Sequence, residues 1–165
     1  MIEFRVHKLR GKAFFSKLRE KRDGLVTVSF DCQKNMVLPK VPDQAAYYSR
    51  QLYTYNFTIF VGASNDKMTV KNTFIYTWNE NDFPKGSNEI CSSEFHCLGS
   101  LDLKGCTTIR LCAEGCGGQN RNSTMIAMCC YFLWNIAPDH VNQVELVFPI
   151  PGHSFFYLPI ECLVG

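Results

Sequence analysis

The sequence predicts an α/β domain: a mixed sheet in which a three-strand antiparallel meander is followed by two parallel strands, with helices on the sheet's faces. Three observations predict it. Three β-branched and aromatic runs of strand length come in succession before residue 81. The second and third are joined through the turn-forming stretch "SNDK", which suits an antiparallel pair. After residue 85, helix-length apolar segments alternate with strand-length ones, the pattern of crossover connections that return to a parallel sheet.

In chain order, "KLRGKAFFSKLREKR" (8–22) places Leu9, Ala13, Phe14 and Leu18 at helical spacing among basic residues, and Asp23-Gly24 ends it. "LVTVSFDC" is a strand that stops at Asp31, and the two prolines of 33–50 predict irregular chain. "QLYTYNFTIFVGA" and "MTVKNTFIYTWNE" are the next two strands. Ser87 or Asn88 is placed to cap a helix carrying Ile90, Cys91, Phe95 and Leu98 on one side. "CTTIRLCAEG" is a strand and "NSTMIAMCCYFLWNIA" a helix, apolar nearly all round and so expected to press against the sheet. Pro138 and Asp139 close that helix, and "QVELVFPIPGHS" is the last strand. The organisation expected is a basic N-terminal helix over 1–24 and one domain over 25–165.

A chain of 165 residues fits one core, and 46% apolar with 19% charged residues gives that core enough material. A formal charge of +2 permits nucleic acid without pointing to it. Nine cysteines, mostly inside apolar runs, predict reduced thiols in a nuclear or cytoplasmic chain. No apolar run reaches the ~18 residues of a membrane span, so no membrane partner is expected. The sequons at Asn56 and Asn122 are then expected to stay unmodified.

Three acids fall at element ends. Asp31 closes the first strand, Glu114 closes the fourth, and Glu89 lies one turn into the helix between the third and fourth. If the first and fourth strands are parallel neighbours, Asp31 and Glu114 emerge side by side at the carboxyl edge, where open α/β sheets hold their sites, and Glu89 can lean over them. Carboxylates so close repel one another unless a cation lies between them. Hard oxygen donors suit Mg²⁺ or Mn²⁺, and two such ions ~4 Å apart serve phosphodiester cleavage or strand transfer. Strand-end acids also arise simply because strands end in water.

This arrangement of strands and acids resembles the ribonuclease H-like fold of nucleases, integrases and DDE transposases. The blocks "FDCQKNMVLPK", "YYSRQLYTYNFTIF", "KGSNEICS", "GCGGQNRNSTMIAMCCYFL" and "ELVFPIPGHSFF" together resemble a family of transposon-derived proteins abundant in animal genomes, over residues 7 to 165. The resemblance implies a DDE-type catalytic domain acting on nucleic acid, DNA in the first instance, with Mg²⁺ or Mn²⁺. It carries over Asp31, Glu89 within Asn88-Glu89, and His153 as catalytic positions, with Glu114 in "EGCGGQN" standing where the family has Asp. Metal ligation falls to Asp31, Glu114 and Glu161, Glu161 and Cys162 occupying the places of a family Asp and Arg. Glu is one methylene longer than Asp, and a ~1 Å displacement at a reacting centre costs on the order of a hundredfold in rate. The resemblance therefore predicts a truncated, degenerate copy whose catalysis is lost before its fold.

The glycine turn after Glu114 offers Gln119, Asn120 and Arg121 as nucleic-acid contacts, with a further amide at Asn122 and a helix start at Ser123 or Thr124. A Gly-Gly turn from strand to helix also needs no ligand. Cys106, Cys112 and Cys116 match no paired zinc spacing and are expected to be core thiols. The cations Lys8, Arg10, Lys12, Lys17, Arg19, Lys21 and Arg22 form a basic face that can track phosphates or merely be solvated. Two functions follow: a metal-dependent nuclease or transposase domain, and a non-catalytic nucleic-acid or protein-binding module that keeps the fold.

Overall fold

The computed structural model describes residues 2–38 and 51–150. Their elements, in order, are α1 (Ile2–Arg19), β1 (Leu25–Cys32), β2 (Met36–Leu38), β3 (Leu52–Val61), β4 (Thr73–Asn79), α2 (Ser87–Ser100), β5 (Thr108–Ala113), α3 (Ser123–Asn135) and β6 (Gln143–Val147). All six strands form one sheet. Across it run β4, β3, β1, β5 and β6, with β2 continuing the line of β1 along β3. β3 is antiparallel to β1 and β4, whereas β1, β5 and β6 are parallel to one another. The predicted α/β class, the meander and the two parallel additions all agree with this topology. β2 is a departure: it forms within a stretch expected to be irregular, because Met36 to Leu38 pair with Thr54 to Leu52 before the first proline.

Alternation along the strands divides the sheet into two unlike faces. Val28, Phe30, Phe57, Ile59, Ile109 and Leu111 point toward α2 and α3, where Ile90, Leu98, Met125 and Phe132 complete the main core. Each such side chain contributes about 1.5–3 kcal/mol by leaving water. The opposite face carries Thr27, Ser29, Asn56, Thr58 and Arg110, all buried. There Phe14 and Leu18 of α1 pack with Cys112 in a smaller cluster, one helical turn apart as their spacing predicts.

The Arg110 guanidinium is buried on that second face and bound by two acids and a backbone carbonyl. Its Nε donates to Glu145 at 2.7 Å, and its Nη1 donates to Glu20 at 2.9 Å and to the Lys17 carbonyl at 2.9 Å. The junction below it depends on Gly24, whose φ of +77° and lack of Cβ let Thr107 and Thr108 donate to its carbonyl; a Cβ there would meet the Thr107 hydroxyl at 2.8 Å.

Several local expectations change in three dimensions. Residues 69–72 form a turn and Met68 is not in a strand, because the Asn72 carboxamide accepts the Thr69 N–H at 2.7 Å and ties that segment to itself. α3 is not buried all round: Met125, Cys129 and Phe132 face the core, while Ile126, Tyr131 and Trp134 are exposed. The sequon asparagines are structural, Asn56 buried in β3 and Asn122 capping α3. No helix among the described residues is long and apolar enough to cross a membrane.

Candidate metal site at the carboxyl edge of the sheet

The parallel register of β1 and β5 ends with Phe30 beside Ala113. The next residue in each chain segment is an acid: Asp31, still within β1, and Glu114, just past the end of β5, so both follow the last paired residues of adjacent parallel strands. The electrostatics agree with that placement. Burial pushes the Asp31 carboxyl up to about 6, and the negative charge of Glu114 pushes the same way, against the Cys32 backbone N–H and Lys85, which pull it down.

Buried oxygens without partners lie on the strand positions next to Asp31. Thr58 is its direct cross-strand neighbour, and Ser29 precedes it by two residues on the same face. The side-chain oxygens of Ser29, Thr58 and Asn56 are all buried and accept or donate no hydrogen bond. The Asp31 and Glu114 carboxylates and the Thr58 hydroxyl are hard oxygen donors, the type that could hold Mg²⁺ or Mn²⁺.

Glu89 takes another task. It lies in the first turn of α2, and its carboxylate accepts the Gly86 backbone N–H at 3.2 Å, satisfying an amide at the helix start. The N-cap is Gly86, ahead of the expected Ser87 or Asn88. Among the described residues no three His, Cys, Asp or Glu side chains converge to hold a metal, so Asp31 and Glu114 stand as a pair without Glu89. His153 and Glu161 lie outside the described residues.

The glycine turn is braced from within. The N–H groups of Gln119, Asn120 and Arg121 all donate to the Cys116 carbonyl, at 3.2, 2.8 and 3.0 Å. Asn120 is buried and donates through Nδ2 to the Glu114 carbonyl at 3.1 Å, so it holds the acid's backbone and does not offer its amide to a nucleic acid. Gln119 is half-buried and Arg121 exposed. α3 starts at Ser123, one of the two starts expected, and Asn122 caps it: its Oδ1 accepts the Met125 N–H at 3.0 Å, while its Nδ2 donates to the Ser87 hydroxyl at 3.0 Å and the Gly117 carbonyl at 3.1 Å. Ser87 in turn donates to the Gly118 carbonyl at 3.0 Å. The starts of α2 and α3 are thereby pinned to one turn beside the acids.

Lys85 is the functional candidate that pattern reading missed. Its ammonium donates to the Gln33 carbonyl at 3.3 Å and to Asn35 Oδ1 at 3.1 Å, and lies 5.9 Å from the centre of the Tyr55 ring. A signal was available: a cation immediately before a helix start is unfavourable against the helix dipole unless acids lie nearby. The basic residues around α1 are partly committed to internal acids, with Lys17 3.9 Å from Glu145, Arg22 3.5 Å from Glu20, and Lys21 paired with Asp66. Of the cysteines weighed as core thiols, Cys106 and Cys112 are buried, but Cys116 is exposed on the glycine turn, where no strand covers it.

Compared with protein-family models, curated proteins and solved structures, the chain matches none.

Proposed function

We propose that this chain is a ribonuclease H-like domain of transposon-derived type, whose Asp31–Glu114 edge binds Mg²⁺ or Mn²⁺ against the phosphates of a nucleic acid, DNA in the first instance. The observation that carries this reading is the parallel pairing of β1 with β5, which sets the two strand-end acids side by side at the carboxyl edge of a sheet ordered β4, β3, β1, β5, β6. The orphaned Thr58 hydroxyl and the raised Asp31 carboxyl support it, since a divalent cation there would offset the cost of burying the Asp31 charge beside Glu114. When bound, such an ion polarises a phosphoryl oxygen or a water. Asp31 and Glu114 hold it, Asn120 fixes the Glu114 backbone, and Lys85 offers positive charge toward a phosphate.

A second reading, binding without cleavage, is favoured by Glu89, whose carboxylate is spent on the Gly86 amide instead of joining the pair. Calorimetric titration with Mn²⁺, repeated on Asp31→Ala, tests the site: heat that disappears in the variant is expected, and equal heat in both proteins overturns it. Nicking of a supercoiled plasmid in Mn²⁺, lost in Asp31→Ala, then selects the catalytic reading. Plasmid binding without nicking selects the other.

A further inference from the structure

α3 carries an apolar stripe on the side away from the core. Ile126, Cys130 and Trp134 recur at four-residue spacing, flanked by Ala127 and Tyr131. Ile126 is 56% exposed, Tyr131 57% and Trp134 90%. At ~150–250 Å² for each large aromatic side chain, this stripe exposes on the order of 500 Å² of apolar surface. That is at the upper end of what a monomer leaves open, and most of the ~800 Å² per partner of a standard interface.

We propose that this face of α3 pairs with the same face of a second copy of the chain, the two helices antiparallel and crossing at Cys130. A two-fold contact sets every residue against its own kind or its mirror position, so like charges cannot be tolerated in it. The helix from Ser123 to Asn135 contains no charged residue. The pattern is also self-complementary about residue 130. Ile126 and Trp134 are equally distant from it, so each Ile meets the other copy's Trp. Beyond the helix ends, exposed Arg121 precedes α3 and exposed Asp139 follows it, so the antiparallel arrangement brings the basic end of one copy to the acidic end of the other. The helix dipoles oppose in the same arrangement. A different protein as occupant would leave this symmetry without a reason.

This inference is independent of the metal reading, since none of its residues carries a carboxylate of the edge site. The test is light scattering across a concentration series, with Trp134→Ser, Ile126→Glu and mild oxidative cross-linking. We expect a concentration-dependent dimer, weakened at least about thirtyfold by Trp134→Ser, the scale of a central Trp anchor. We also expect a covalent dimer under oxidation that Cys130→Ser abolishes and Cys116→Ser leaves intact. Asp139→Lys should weaken the dimer, and adding Arg121→Glu should restore it. Because these positions are exposed, circular dichroism should be unchanged throughout. A chain that stays monomeric at its highest soluble concentration overturns the proposal, as does a dimer that survives both Trp134→Ser and Ile126→Glu. A dimer lost in those variants but not cross-linked through Cys130 overturns the antiparallel crossing.

Discussion

Arg110 in the middle of β5 and Glu114 just past its end lie on the same strand and serve opposite purposes. The Arg110 guanidinium is answered inside the fold by Glu20, Glu145 and the Lys17 carbonyl. Glu114 instead stands next to another acid, with Lys85 the cation that acts on that acid, and buried oxygens left without partners. A charge group balanced by the chain itself holds α1 and β6 to the sheet. One left unbalanced has capacity for a ligand, and retains a stability cost until something positive arrives. The two groups also respond to pH in opposite directions. Hydrogen bonding from Arg110 holds the Glu145 carboxyl below its usual range, so its contribution is present above about 4.5 and is lost as pH falls through the folded value. Asp31 is raised to about 6, so the fold favours its protonated form, and stability is lost as pH rises from 3.8 through about 6.

The largest expected effect comes from breaking the balanced group. Arg110→Met leaves two carboxylates facing each other under α1 and should cost about 3 kcal/mol, or roughly 6–12 °C in Tm, at pH 7. A melting temperature within a degree or two of the parent would show that Arg110 is not what joins α1, β5 and β6. Glu94 supplies the extreme unbalanced case: it is fully buried in α2, and neither of its oxygens has a partner. Burial holds its carboxyl well above the usual range, so Glu94→Met should stabilise the fold by about 1–3 kcal/mol at pH 8, and by progressively less as pH falls toward 4.5. Urea denaturation at both pH values measures it, and a gain that does not grow with pH contradicts the assignment.

Asp31→Asn sharpens the contrast at the edge site itself. Allowing for its partial exposure, the substitution should add about 1–2 kcal/mol at pH 8 and nothing near pH 3.5, since the parent loses its proton between 3.8 and about 6. A loss of stability at pH 8 would mean that the acid is satisfied within the fold after all. The smallest effect concerns Lys85, which pulls the Asp31 carboxyl down. Lys85→Met should move the Asp31 midpoint above about 6 in a carbon-13 NMR titration while leaving the melting temperature nearly unchanged. A midpoint that stays put would remove Lys85 from the site.

Much of the fold could be read directly. β-branched runs marked β1, β3, β4 and β5, apolar periodicity marked α2 and α3, and Asp31 with Glu114 stood out as acids near the ends of two strands, Asp31 one residue before β1 stops and Glu114 one residue after β5 does. The signals that failed were those in which a residue's role depends on a distant partner. Glu89 has the same sequence credentials as Glu114, yet the amide of Gly86 claims it. Asn120 looked like a donor for phosphate and instead braces the Glu114 carbonyl. Arg110 sits in the middle of an apolar strand pattern, and nothing local distinguishes a guanidinium answered by Glu20 and Glu145 from a misplaced charge.

Residue order by itself determined the succession of elements, the α/β class and the two acids at strand ends, because backbone sterics and burial act on neighbours in the chain and leave periodic traces. Tertiary structure alone decided which acids meet, which charges find partners and which side of α3 faces water. Those outcomes depend on strand register and on contacts between segments far apart in sequence, where attraction between charges and the exclusion of water operate across space and leave no trace in the local pattern.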